Sequence, residues 1–394
     1  MSAPFDLFSP TEEHLFLRDT LRRFVADHVE PQALEHDRDE KFNIALFRRL
    51  ADEVGILGVT VPEEMGGGGM DATAAVICHE ELSTSDPGFC LAYLAHTILY
   101  VNNVAVNASD TQRDRFLPKA LNGEWIGGMG MSEPGAGTDA VGSMSTTATP
   151  DGDDFLLNGS KMWITNGCIN DTELGDIFLI YAKAPEGVST FVVEKGFEGL
   201  ELGQRIKGKT GMRASPTAEL VFNNCRVPRS NLIGSPGDSV KHMMRNLEIE
   251  RLTLAGMGLG IARRSLEVMN AYAQERIAFG QPINRFGQIQ THIAQSYAEY
   301  MAARSYVYNV ARSMNLNKPG HRIDTDGVKL ICATMAKTVA DRAMQVPGGY
   351  GYVSEYHVER LWRDAKLLEI GGGTLEAHQK NIARDLARLE QLPS

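Results

Sequence analysis

The 394-residue chain is poor in cysteine, in tryptophan and in positive charge. Its five cysteines stand at 78, 90, 168, 225 and 332, an odd number at wide spacing with no Cys-x-x-Cys. This offers neither a disulfide framework nor a zinc ribbon and suits a reducing compartment. Lys and Arg total 39 against 50 Asp and Glu, a formal charge of −11. Such a chain has no general surplus of cations for nucleic-acid phosphates. The N-terminal stretch holds Asp6, Glu12, Glu13 and Asp19. It lacks the basic start and apolar run of a secretory signal and the acid-poor character of a transit peptide. A cytoplasmic protein, or a mature matrix protein, is expected. One stretch, 89–109, carries no charge and is long enough to span a membrane. It also contains His96, Thr97, Asn102, Asn103 and Asn107. Polar side chains are costly in hydrocarbon, so a buried or pocket-lining helix is expected there.

What is present describes a folded, multidomain protein. Apolar residues make up 43% and charged residues 23%, and the length suits two or three domains with ample core. Helical spacing runs through 11–29, 43–54, 71–82, 89–107 and 111–121. From Trp125 to Ile233 the segments are short and rich in β-branched and aromatic residues. Strands are expected at 154–157, 161–165, 177–181, 190–193 and 219–222, with hairpin turns at Asn158-Gly159 and Asn166-Gly167. Helical periodicity returns over 239–279, 288–314, 324–346, 356–369 and 375–389. Strands bunched between helical halves exclude an alternating βαβ fold. The chain divides into a helical domain at 1–124, a β domain at 125–233 and a second helical domain at 234–394.

Three features could carry chemistry. Glu250 falls on the helical face of Met243, Leu247, Leu254, Met257 and Ile261, so it interrupts an apolar stripe. A carboxylate desolvated there has a raised pKa, which suits a general base; a buried Glu paired to an Arg fits equally well. Met131-Ser-Glu-Pro-Gly-Ala-Gly-Thr-Asp139 offers N–H groups and hydroxyls to an anionic or heteroaromatic ligand, although alone it reads more simply as a loop. Met162-Trp-Ile-Thr-Asn-Gly167 could stack Trp163 on a flat ring and bond its edge through Thr165; alone, it reads as a strand with a core Trp. Gly256-Met-Gly258-Leu-Gly260 imitates a dinucleotide fingerprint but follows no strand, so close helix packing is expected instead.

Together these segments resemble the acyl-CoA dehydrogenase family from about Phe8 to Leu389. The supporting motifs are Met131 to Asp139, Asn158-Gly-Ser-Lys-Met-Trp-Ile-Thr-Asn-Gly167 and Lys209-Thr-Gly-Met-Arg-Ala-Ser215. Further on come Glu275-Arg-Ile-Ala-Phe-Gly-Gln281, Gln345-Val-Pro-Gly-Gly-Tyr-Gly351 and Arg363-Asp-Ala-Lys366. The resemblance implies an α+β multidomain fold: an N-terminal helical domain, a middle β-barrel or sandwich and a C-terminal four-helix bundle. It implies bound FAD and α,β-desaturation of an acyl-CoA thioester, with electrons passed to an electron-transfer flavoprotein. It also implies a homotetramer.

By position, Met129, Met131, Ser132, Gly137 and Thr138 would line the flavin, Trp163 would cover its ring and Thr165 would bond its edge. Arg276, Phe279, Gln345, Gly348 and Gly349 match adenosine and pyrophosphate contacts, partly across a subunit interface, and Thr374 and Glu376 lie near the pyrophosphate. Thr138, Glu248, Arg251 and Gly372 match the substrate side. Most relatives read Tyr-Glu-Gly-Thr where this chain reads Gly371-Gly-Gly-Thr374. The usual base is thus Gly372, which keeps only a backbone N–H for the thioester oxygen. Isovaleryl-type relatives carry the base at the position of Glu250, so the resemblance implies Glu250 is the base here. It also points to a branched short or medium acyl group. Another bulky acyl group, a flavin oxidase or monooxygenase, and a DNA-associated member of the fold are the alternatives. Two further departures are Phe286-Gly-Gln-Ile-Gln290, which displaces a usual FAD-contact glutamine, and Leu375-Glu-Ala-His-Gln379 after the glycine loop.

Overall fold

The computed structural model describes residues 6–391. The N-terminal third is helical: α1 Glu12–Phe24, α2 Glu30–Asp39, α3 Ile44–Arg49, α4 Ala72–Leu82, α5 Pro87–Leu94, α6 Asn103–Asn107, α7 Asp110–Phe116 and α8 Pro118–Leu121. Side-chain caps set several starts. Thr11 caps α1, Asp71 caps α4, Asp86 caps α5, and Ser109 with Gln112 forms a capping box on α7. The uncharged stretch is one continuous helical run, 87–107, with a π-helical middle at Ala95–Asn102. By composition it could cross a membrane, but 89% of its apolar 18-residue window is buried inside the protein. His96 shows how its polar groups are satisfied: Nε2 donates to the Ala120 carbonyl at 3.0 Å and Nδ1 accepts from Gly127 N–H at 2.9 Å.

The middle domain is one eight-stranded sheet. Its strands are β1 Gly127–Gly130, β2 Thr147–Asp151, β3 Asp154–Thr165, β4 Ile177–Ala184, β5 Gly187–Glu194, β6 Leu200–Arg205, β7 Thr217–Pro228 and β8 Leu232–Ile233. They run in the order β6-β7-β3-β2-β4-β5-β8, and β1 pairs in parallel with β4. Alternation along β4 places Phe178, Ile180 and Ala182 in the sheet's own core. Ile177, Leu179 and Tyr181 face the opposite way, against Tyr100, Val101 and Met243 of the helical domains. Asn158-Gly159 is not a hairpin turn. β3 runs straight through it, and a register shift between Leu157 and Gly159 marks a bulge, with Gly159 at φ +138°. Asn166 and Gly167 end β3 but lead into a longer loop, not into a paired return strand.

The C-terminal helices are α9 Ser239–Glu275, α10 Gly287–Ser313, α11 Arg322–Gln345, α12 Val358–Leu368 and α13 Leu375–Leu386. A two-stranded hairpin, β9 Ile277–Ala278 and β10 Gln281–Pro282, follows α9. α9 is central: it packs on α4 of the first domain and on α10 and α11 of its own. The three glycines expected to allow close helix packing do so. A Cβ on Gly256 would lie 3.2 Å from the Val76 carbonyl, and one on Gly258 3.1 Å from the Cys332 carbonyl. At Gly260 it would overlap the Glu80 carbonyl. Buried ion pairs join the same helices. Arg18 of α1 meets Glu80 of α4 at 3.0 Å, Arg304 of α10 meets Glu80 at 3.0 Å, and Arg263 of α9 meets Glu81 at 2.5 Å.

Candidate active site

Glu250 projects from the middle of α9 toward the loop joining α12 to α13. The loop begins where α12 runs out: Gly371 N–H donates to the Leu367 carbonyl at 2.7 Å. It ends where Thr374 caps α13 by accepting from Ala377 N–H at 3.2 Å. Between them Gly372 (φ +67°) and Gly373 (φ +101°) hold left-handed conformations that favour glycine. A Cβ built on Gly372 would stand 3.5 Å from Glu250 Oε1 and would overlap Leu254 Cδ1. Helix position 250 and loop position 372 therefore open onto one spot, and Leu254 fills the room a side chain at 372 would take.

Glu250 is only 8% exposed, and its Oε2 has no hydrogen-bond partner among the described residues. Burial raises its pKa, while the cations Arg251 and Lys329 pull it back without cancelling the rise. Of the two readings the sequence left open, the paired one fails, since no salt bridge reaches Glu250 among the described residues. Arg251, expected on the substrate side, turns inward instead. It is buried and pairs with Asp326 of α11 at 3.1 Å. Glu248 is also elsewhere: its carboxylate accepts from Gly320 and His321 N–H at 3.1 and 3.0 Å, which holds the loop before α11. Both side chains, which the resemblance places on the substrate side, are thus engaged within the protein. They lie on faces of α9 packed against other segments, about 200° and 100° around the helix from Glu250.

The flavin-type loop reaches the same face of α9. Met129 of β1 has its Sδ 3.7 Å from Nδ2 of Asn246, one helical turn before Glu250. Beyond β1, Met131 and Ser132 lie beside β3, where the Ser132 carbonyl accepts from Met162 N–H at 2.9 Å. A buried ion pair, Lys161–Glu133 at 2.8 Å, fastens the loop from below. Burial pushes the Glu133 carboxyl up, but bonds from Lys161, Ser145 and Thr146 draw it down to about 2. Trp163 sits at a second β3 bulge with φ +62° and is 55% exposed. A bulky residue in that conformation is strained, and strain of this kind clusters at functional sites. The bulge lifts the indole out of the core position that the sequence left open.

These groups fit a flavin. The indole presents a flat exposed face, and a Cβ added at Gly135 or Gly137 would meet nothing within 4 Å. The hydroxyls of Ser132, Thr138 and Thr165 have no protein partner among the described residues. A second group of expected contacts lies far away. Arg276 closes α9, exposed and without an ion pair among the described residues, and Phe279 tips the β9–β10 hairpin at 96% exposure. Gln345, the last residue of α11, and Gly348 and Gly349 just after it are exposed, near the apolar cluster of Ala273, Ile283 and Val346. Along α9, Glu250 and Arg276 stand about 39 Å apart at 1.5 Å per residue. Thr374 and Glu376 belong to the first group, beside the glycine loop. Gln288 is exposed on α10, and Gln290 bonds the Asn284 carbonyl at 3.1 Å.

Sequence reasoning missed Lys329, Asp326 and His378, buried beneath the glycine loop, and Asn246, buried beside Met129. Lys329 had a readable signal. It shares a helical face with Cys332 and Ala336, so it interrupts an apolar stripe of α11 as Glu250 does on α9.

Three family profiles match in chain order. They are the acyl-CoA dehydrogenase N-terminal domain at 11–124, the middle domain at 128–225 and the C-terminal domain at 239–387. Among curated relatives, the mitochondrial isovaleryl-CoA dehydrogenase of Pongo abelii is 39% identical over 384 residues, covering 95% of this chain and 88% of its own. A chain in a structure of the electron transferring flavoprotein of Acidaminococcus fermentans superposes with a TM-score of 0.91 at 33% identity, over 96% of this chain and 99% of that one. A glutaryl-CoA dehydrogenase from Mycobacterium smegmatis in complex with FADH2 superposes at 0.90 with 27% identity, over the whole of both chains. The chain therefore belongs to the acyl-CoA dehydrogenase family: a flavin-dependent oxidoreductase, with FAD as its cofactor, acting on a CH–CH bond of an acyl-CoA thioester.

Proposed function

We propose that the enzyme desaturates a branched short or medium acyl-CoA, of which isovaleryl-CoA is the first candidate, with Glu250 as the base. One observation carries the reading. The loop position that bears the base in most relatives is Gly372, and an unpaired buried carboxylate from another helix stands 3.5 Å from where its side chain would begin. Glu250 takes the proton from the carbon next to the thioester carbonyl. Bound FAD supplies the hydride acceptor for the neighbouring carbon. Met129, Met131, Ser132, Gly137, Thr138, Trp163 and Thr165 would hold the flavin ring at that place. As the proton leaves, charge grows on the thioester oxygen, and the backbone N–H of Gly372 is the donor this chain offers it.

Burial serves the base in two ways. It lifts the pKa toward neutrality, where a base is effective, and it keeps water from competing for the reactive carbon. Leu254 fills the room at 372 and Leu367 lines that at 371, so the branched-chain reading is supported by the likeness to isovaleryl-CoA dehydrogenases. The stretch 87–112 holds no Lys or Arg, which speaks against a dicarboxylyl substrate.

We further propose a homotetramer that passes its electrons to an electron-transfer flavoprotein. The span between Glu250 and Arg276 exceeds an extended dinucleotide, so Arg276, Phe279, Gln345, Gly348 and Gly349 would serve a neighbouring subunit's FAD, with Thr374 and Glu376 near the pyrophosphate. A cytoplasmic location suits the five cysteines, all free and buried.

Anaerobic flavin bleaching against a panel of straight, branched, cyclic and dicarboxylyl acyl-CoA thioesters tests the reading. A branched thioester should bleach fastest; fastest bleaching by glutaryl-CoA or by a straight chain refutes the substrate assignment. Slow reoxidation of the reduced enzyme in air, with fast reoxidation by an electron-transfer flavoprotein, separates a dehydrogenase from an oxidase.

A further inference from the structure

Gly371, Gly372 and Gly373 form the loosest sequence the backbone could have, yet a hydrogen-bond donor for developing charge works only if it is fixed beforehand. Two wholly buried side chains grip this loop from beneath. Lys329 of α11 donates from Nζ to the Gly371 carbonyl at 3.0 Å and also to the Leu368 carbonyl. His378 of α13 donates from Nε2 to the Gly373 carbonyl at 3.0 Å. Its Nδ1 lies 2.5 Å from Asp326, which also holds Arg251. The Leu368 contact is what a lysine capping a helix C-terminus makes. The Gly371 contact lies past the helix end, and capping does not account for it.

The peptide joining Gly371 to Gly372 is trans, as are all peptides among the described residues, and resonance keeps it close to planar. Its C=O and N–H therefore point in opposite directions. With the Gly371 oxygen held down on Lys329, the N–H of Gly372 is turned away from Lys329. We propose that Lys329, assisted by His378, is a positioning residue that locks this peptide plane so that the Gly372 N–H faces the thioester oxygen. The inference rests on the Glu250 desaturation proposed above. A charged donor makes bonds about twice as strong as a neutral one, which explains an ammonium where its burial is costly. Burial draws its pKa down to about 8, and the facing Glu250 opposes that fall.

The test uses the full-length, FAD-loaded enzyme. The probe is the enoyl-CoA product of whichever acyl-CoA bleaches the flavin fastest, isotope-labelled at the thioester carbonyl. Infrared difference spectroscopy reads the downshift of its C=O stretch on binding. Lys329→Met should lose most of that downshift and slow flavin reduction about 10²–10³-fold, the loss typical of one oxyanion donor. Product affinity should change far less. Lys329→Gln keeps a neutral donor and should retain part of the downshift; it also serves if the Met variant does not fold. A wild-type downshift in either variant overturns the proposal and leaves Lys329 a helix cap. Glu250→Gln should keep the full downshift while reduction stalls. If instead Glu250→Gln reduces its flavin normally, the base assignment fails, whatever the Lys329 variants show.

Discussion

Moving the base from helix to loop probes the cleft from both sides. Glu250→Gln keeps the shape of the site and removes the proton acceptor. Such a loss slows reaction about 10²–10⁴-fold, or about 2.7–5.4 kcal/mol of barrier at about 1.36 kcal/mol per tenfold. Gly372→Glu then offers a carboxylate from the opposite wall, starting 3.5 Å from Oε1 of the residue it replaces. Two obstacles stand in its way. The φ of +67° at 372 disfavours any side chain by about 1–2 kcal/mol, and the new Cβ overlaps Leu254 Cδ1. Leu254→Ala clears the overlap at a loss of about 2–5 kcal/mol. The combined loss, about 3–7 kcal/mol, is survivable against a typical stability of about 5–15 kcal/mol. FAD at a hundredfold excess over its Kd adds back about 2.7 kcal/mol. Glu250→Gln with Gly372→Glu alone should therefore stay near the Glu250→Gln rate. Adding Leu254→Ala should recover at least about tenfold of the lost rate, a fraction of what a well-placed base contributes. Anaerobic stopped-flow reading of flavin absorbance measures each rate with the best acyl-CoA from the panel. A triple variant that holds FAD and binds acyl-CoA, yet reduces no faster than Glu250→Gln, refutes the shared spot.

Three further outcomes follow from the same geometry. The raised pKa of Glu250 means its ionised form opposes folding: its contribution is present below the unfolded pKa and lost as pH rises through the folded one. Glu250→Gln should thus melt higher than wild type at pH 8, with the difference vanishing toward pH 4; equal differences at both pH values would contradict the burial argument. Arg18→Met leaves Glu80 and Glu81 short of a cation in a buried cluster and should lower stability by about 3–5 kcal/mol in urea titrations. In the intact cluster Glu80 is held below the usual carboxylate range, since the cations Arg18, Arg304 and Arg263 outweigh its desolvation. Its contribution therefore persists at neutral pH and disappears only as pH falls through that low value. Gly260→Ala forces α9 off the Glu80 carbonyl and should cost about 1–3 kcal/mol, whereas Gly135→Ala, with open space around it, should leave the melting temperature within a degree or two of wild type.

Periodicity made the helices legible wherever one face is apolar and long, as on α4, α9, α10 and α11. It failed where polar residues or glycines form regular structure. Glu30–Asp39 is a helix of mostly polar residues, and Gly127–Gly130 is a strand only because it pairs with β4. Asn158-Gly159 carried the local signature of a turn, but pairing of β3 with β7 on both sides overrode it. In the site, Glu250 was legible because one carboxylate broke an apolar stripe. Arg251 and Glu248 engage other segments because residues one and two positions away on a helix point about 100° and 200° away. His378, Asp326 and Lys329 come from separate helices, and only tertiary packing brings them beneath one loop.

In the proposed reaction, where the base sits also decides what the loop is free to do. A carboxylate at 372 would need a side chain in left-handed backbone, with its Cβ overlapping Leu254. A carboxylate at 250 rides on a helix clamped to α4 and α11 through Gly256, Gly258 and Gly260. Its position is then set by core packing, which tolerates little drift. The loop, relieved of a side chain, has only its backbone to contribute, and three glycines let that backbone approach the thioester closely. What glycine cannot supply is rigidity, and Lys329 and His378 provide that from below. Aligning the base and orienting the oxyanion donor thus fall to different elements, α9 for one and α11 with α13 for the other. Substitutions under the loop should therefore alter carbonyl polarisation without moving the pH dependence set by Glu250's burial, except at Lys329, whose charge faces both.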